Sequence, residues 1–223
     1  MTPAAGPALS YDRRMVGWLS VGQLVTWGSV FYTFALLMEP VERELGLSRA
    51  QSSLAFSLAL LAEGLLAWPV GRLIDRGHER AVMTLGSLAV ALCLFLHSFV
   101  SSVAGFYAVW LGLGAALSAT LYNPVFAVVT RRFPHDFRRA IITLTFLGGL
   151  ASTVFIPLSA WLIHALGWRL ALWVLAALQL LVCAPLHARW LRGAPRRAIA
   201  PATASTDARP SHSLAHHLRS APF

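Results

Sequence analysis

"VGRLIDRGHERAVM", Val70 to Met83, crowds Arg72, Asp75, Arg76, Glu79 and Arg80 into one short interval between two apolar runs. Upstream, from Gly71 back to Ala50, Glu63 is the one charged residue; downstream, from Ala81 to Phe99, there is none. A charged interval this short, flanked by helix-length greasy segments, reads as a turn on a membrane surface. The two runs beside it then read as spans.

The composition agrees. Of 223 residues 57% are hydrophobic and 12% charged, whereas a soluble domain carries about a quarter of its residues as charges. The net charge of +9 does not point to nucleic acid, which needs basic residues gathered on one face of a soluble fold; here they sit between apolar segments. Cys93 and Cys183 fall inside apolar runs without CxxC spacing, so neither a disulfide nor a metal site is expected. The first apolar run is too long for a signal-peptide core and has no small-residue cleavage site behind it.

A helix needs about 20 apolar residues to cross the hydrocarbon core. Six runs qualify: 15–38, 50–70 (interrupted by Glu63), 81–99, 103–130 (carrying Asn123-Pro124), 140–166 and 170–188. They are apolar on every face, which excludes a membrane barrel, whose strands alternate. Every basic residue is arginine. The termini and the second and fourth turns hold nearly all of them, leaving Arg43, Arg49 and Arg169 for the other side. Short arginine-rich loops stay in the cytoplasm, so the expectation is an inner-membrane, multi-pass chain with both termini cytoplasmic. Residues 1–14 form a cytoplasmic segment, 15–190 the six-helix membrane unit and 191–223 a disordered tail, which is rich in Pro, Ala, Ser, Arg and His and too polar to fold alone.

A repeat lies across the six runs. "LIDRGHER" from Leu73 and "LIHALGWR" from Leu162 both read Leu-Ile-x5-Arg at an offset of 89, which also places Arg43 on Arg132. Three spans separate the copies, so they face opposite sides. The expected fold is an all-α membrane protein of six transmembrane helices arranged as a 3+3 inverted repeat.

Gly71, Leu73, Asp75, Arg76 and Arg80 resemble the loop signature between the second and third spans of the major facilitator superfamily. "GWRLALWVLAAL", Gly167 to Leu178, resembles that family's entry to its sixth span, and "ELGLSRAQSSLAFSLALLAEGLLAWPVGRLIDR" is similar to its monocarboxylate and oxalate/formate branch. The chain departs from the pattern at His78, where the family has its second glycine (Gly77 comes one place early), and at Glu79, where a basic residue is usual. The resemblance implies the N-terminal six-helix half of a secondary transporter working by alternating access on a small solute. Such a half needs a facing one, so a second half-transporter chain or a homodimer is the implied partner, besides the lipid bilayer. The competing expectations are a truncated, inactive product and a membrane scaffold or receptor acting through the basic tail. No hydrolase motif supports an enzyme, and no catalytic residue, cofactor, metal or nucleic acid is expected.

Within this frame Gly71, Asp75, Arg76 and Arg80 are the candidate cytoplasmic gate loop. Asp75 lies at a helix end and requires a cation, from Arg76, Arg80, Arg131 or Arg132. Glu63 lies about 12 Å along the helix from Gly71, too deep for a short carboxylate to reach water easily. An intramembrane acid is costly, which makes Glu63 a candidate for proton coupling; a buried, hydrogen-bonded glutamate is the alternative. Gln23, Thr26 and Thr33, with Ser20 and Ser29, recur at spacings of three and four on the first span. They are candidates either for lining a pathway or for interhelical hydrogen bonds. Asn123, beside Pro124, is a further candidate lining residue or simply part of a kink.

Overall fold

The structure is a computed structural model that describes residues 12–193. The expected tail therefore lies outside the described residues from 194 onward, as do residues 1–11 of the N-terminal segment. Five stretches are long and apolar enough to cross a membrane: α1 (Arg13–Leu45), α2 (Arg49–Asp75), α3 (Glu79–His97), α4 (Val103–Arg132) and α5 (Phe137–Trp190). No strand occurs among the described residues. The 54 residues of α5 would extend about 80 Å as one helix, far beyond a bilayer's hydrocarbon thickness of about 30 Å. Gly167 resolves this. Its φ of 78° and ψ of 159° break the helix into a first arm (137–166) and a second arm (168–190).

Helix ends follow the local sequence. Asp12 caps α1 by accepting from the amides of Arg14 and Met15, so the helix begins two residues before the apolar run does. Ser48 and Gln51 form a reciprocal capping box on α2. At the far end of α2, Gly77 takes φ 88°; its amide bonds Ile74 O at 2.8 Å while that of His78 bonds Leu73 O at 3.1 Å, the Schellman arrangement. That explains the glycine standing one place early: it closes α2.

Proline shapes α4. Pro124 has no amide to give the carbonyl four residues back, and the chain loosens into a turn between Leu117 and Tyr122. Thr120 O, which that amide would have met, accepts instead from Gln23 Nε2 of α1 at 2.7 Å. Wider π-helical turns occur at Trp27–Tyr32 in α1 and Gln179–Cys183 in α5.

The helices pack through small residues, as expected where lipid offers no hydrophobic drive for helices to associate. A Cβ on Gly114 would lie 2.0 Å from the Ala59 carbonyl oxygen, and one on Gly28 the same distance from the Phe155 ring. Gly148 likewise makes room for the Tyr122 hydroxyl. Two cores result. One groups Phe34, Trp110, Phe155 and Trp168; the other, at the arginine-rich end, groups Met15, Ile74, Met83, Val128 and Leu144.

Gly114→Ala should therefore destabilise the chain by about 1–3 kcal/mol through overpacking against backbone. Gly149→Ala, which meets nothing within 4 Å, should be neutral or stabilising by up to about 1 kcal/mol. Thermal unfolding in detergent, followed by helical circular dichroism, measures both.

Candidate functional site

The charged turn between α2 and α3 is held by an acid other than the one the sequence pointed to. Asp75 and Arg76 are exposed, and Asp75 makes no ion pair among the described residues. Glu79 is fully buried and lies 2.5 Å from Arg132 and 3.3 Å from Arg131 of α4. Arg131 also donates to Ile74 O at the end of α2, and Arg132 reaches Met15 Sδ of α1 and Arg192 O. Arg80 donates its Nε–H to Ala188 O at 2.8 Å. Of the four arginines expected to serve Asp75, Arg131 and Arg132 pair instead with Glu79, one of the two positions at which the chain departs from the family pattern, Arg80 bonds Ala188 O, and Arg76 makes no ion pair with Asp75. Gly71 is half-buried with open space about it.

A second charged cluster closes the opposite end. Arg169, two residues past the Gly167 break, pairs with Glu44 of α1, donates to Ser98 O and Val100 O at the end of α3, and lies over the Trp168 ring. Trp168 Nε1 donates to Glu44 at 3.0 Å. Arg80 and Arg169 occupy equivalent positions at the offset of 89. Each begins a helix and donates to carbonyls near the end of the other's helix: Arg169 to the end of α3, Arg80 to the second arm of α5. The acids do not follow the repeat, since Glu44 answers an arginine whereas at the other end arginines of α4 answer Glu79.

The polar row of α1 points into the bundle. Gln23, Thr26 and Thr33 are fully buried, as are Ser20 and Ser29. Gln179 of α5 donates to Ser29 at 2.9 Å and Thr26 at 3.3 Å; Thr33 shares a hydrogen bond with Ser159 at 2.7 Å and donates to Gly28 O. In this structure these residues join helices and do not line an open surface, because the stripe that sequence spacing defines faces α4 and α5. Asn123 is exposed and Glu63 half-buried.

Exposure separates two faces. Along α3 the exposed side chains between Ala81 and Phe99 are all apolar, Leu85, Leu88, Leu92 and Phe95 among them, and the same holds for Leu170, Trp173, Val174, Leu180 and Leu181 of the second arm of α5. Exposed polar residues at membrane depth lie elsewhere: Ser53 and Ser57 on α2, Asn123 on α4, Thr145 and Thr153 on the first arm of α5. Hydrocarbon accepts the first face without cost. The second is mixed, with Leu61, Leu65, Ile142 and Phe146 exposed beside these polar groups; hydrocarbon would penalise the Asn123 amide, for which water or another protein surface is the better neighbour. Sequence reading missed this division because an exposed threonine and a buried one look alike in an apolar run.

Helices of bilayer length that expose mainly apolar side chains define a multi-pass membrane protein. The chain belongs to the Major Facilitator Superfamily, whose family model matches residues 19–223. It is also 35% identical over 116 residues to Monocarboxylate transporter 13 of Bos taurus, a stretch that makes up 50% of this chain and 26% of that protein.

Glu79→Gln should cost about 3–5 kcal/mol, since it leaves Arg132 buried without its counter-charge, whereas Asp75→Asn should stay within about 0.5 kcal/mol. Equal effects in thermal unfolding would mean that the turn is anchored otherwise. Gln23→Leu should cost about 1–3 kcal/mol by orphaning Thr120 O; urea or detergent-denaturation midpoints report it.

Proposed function

We propose that the chain is one six-helix wall of a secondary transporter, with two three-helix units inserted in opposite senses, and that it moves a small organic acid by alternating access against a second such wall. The observation that carries this reading is that exposed polar side chains away from the helix ends occur on α2, α4 and the first arm of α5 and are absent from α3 and the second arm of α5. The facing wall comes from another chain or a second copy. The mirrored work of Arg80 and Arg169 supports the inverted repeat, and the arginine count supports an inner-membrane orientation with the Asp75 turn and both termini in the cytoplasm.

In this reading the turn has two parts. Glu79 anchors it to α4. Asp75 and Arg76, left exposed, are the part of the gate that meets and leaves the facing wall as the halves rock. Glu63 is the proton-coupling group: a half-buried acid well inside a membrane-length helix. The organic-acid substrate rests on the likeness to a monocarboxylate transporter over about a quarter of that protein's length.

The test is lactate counterflow and net uptake in proteoliposomes of the full chain. Wild type should show both, with net uptake rising under an inward proton gradient. Glu63→Gln should retain counterflow and lose the gradient response, and Asp75→Asn should alter the rate by fivefold or more at unchanged stability. A gradient response that survives Glu63→Gln removes that residue from coupling, and absent flux at every protein-to-lipid ratio contradicts transport by this chain.

A further inference from the structure

Five half-buried rings run in unbroken contact across three helices. Phe56 of α2 meets Phe31 of α1 edge-on at 5.5 Å between centroids. Phe31 meets Trp27 at 4.5 Å, and Trp27 meets Tyr122 of α4 at 5.2 Å. Tyr122 stacks on Phe126 at 5.1 Å with 13° between planes. None of the five is fully buried.

The depth of the α1 rings is unusual. Trp27 and Phe31 lie at the centre of α1, roughly 20 Å from either end, whereas membrane-exposed tryptophan and tyrosine concentrate at the headgroup level. The rings belong to helices that also carry exposed or half-buried polar groups: Asn123, next to Tyr122 on α4, is exposed, and half-buried Glu63 follows Phe56 by seven residues, which places both on one side of α2. Among the described residues no arginine or histidine lies between Phe56 and Glu63 on α2, between Leu24 and Ala35 on α1, or between Tyr122 and Phe126 on α4.

We propose that this ribbon is the surface against which the solute lies, and that it selects organic acids carrying a flat, unsaturated body over short aliphatic ones. The inference rests on the transport reading above and narrows its substrate class to aryl monocarboxylates. Ring faces and edges match a planar π system with offset-stacked and edge-on contacts. The wall offers no cation to a carboxylate, so the acid group points toward the facing wall while the body rests on Trp27 and Tyr122. Few polar groups beside a mostly apolar lining is the usual make-up of a small-molecule site.

The experiment is photolabelling of the full chain in nanodiscs with 4-azidobenzoate, mapped by mass spectrometry, with 3-phenylpropenoate and propionate as competitors. Label is expected in segments 27–32 and 122–126, displaced by 3-phenylpropenoate at a concentration at least tenfold below that needed of propionate. Trp27→Leu and Tyr122→Leu should bring that ratio close to one. Trp27→Phe, which restores a ring, and Phe99→Leu, on the apolar face, should leave it unchanged. Equal competition by the two acids overturns the proposal, as does a ratio indifferent to the ribbon variants. Label on the apolar face around Leu88–Phe95 also overturns it, because that pattern is partition into lipid. Flux lost with labelling intact would refute the transport reading alone, and labelling lost with flux intact would refute the ribbon alone.

Discussion

Glu79 has no route to water. Its carboxylate opens α3 at a helix N-terminus, which favours negative charge, but it is fully enclosed, and only the guanidinium groups of Arg131 and Arg132 make that enclosure tolerable. A buried pair of this kind gains little over a well-packed apolar contact, yet losing one partner is expensive. Its consequence is therefore specificity of arrangement. The start of α3 can sit only where the end of α4 supplies its counter-charge, and the same arginines take up carbonyls at the end of α2 and at Arg192. Four chain segments are fixed by one acid.

The other end of the bundle solves the same problem with reversed charge. Glu44 closes α1, and Arg169 opens the second arm of α5 just after the Gly167 break, taking the free carbonyls of α3 as well. Here the charges are partly exposed, with 36% of the Arg169 side chain and 43% of Glu44 accessible, so water and salt weaken the clamp. The bundle is thus held firmly at its arginine-rich end and more loosely at the other. Between the clamps, close contacts at Gly114 and Gly28 and the hydrogen bonds of the α1 polar row hold the interior without any charge.

Much of this was legible in the sequence. Hydropathy placed six apolar runs on five membrane-length stretches, the last two runs sharing α5; the Gly-Trp-Arg stretch falls at the Gly167 break between them, and Asn123-Pro124 marked the loosened turn of α4. The offset of 89 that linked two arginines by pattern linked two that do equivalent work. What was not legible was direction. Gln23, Thr26 and Thr33 form a stripe by spacing, but spacing does not say whether a stripe faces a neighbour or a cavity, and here the loosened α4 and the π turn of α5 present the partners. The ion pair of the charged turn was not legible for a related reason. A loop pattern assigned the ion pair to Asp75, whereas the early Gly77 ends α2 in a way that turns Asp75 outward and carries Glu79 into the bundle. The aromatic ribbon left no periodic trace, because its rings come from three helices.

The Glu79–Arg132 pair is the joint between helices on which the arrangement depends, and a double-mutant cycle measures it most directly. Unfolding free energies of Glu79→Gln, Arg132→Gln and the double variant in detergent should show a coupling energy above about 1 kcal/mol, with the double variant more stable than the sum of the singles implies. Strictly additive losses would mean that the two side chains do not hold each other, and the arrangement built on them would be contradicted.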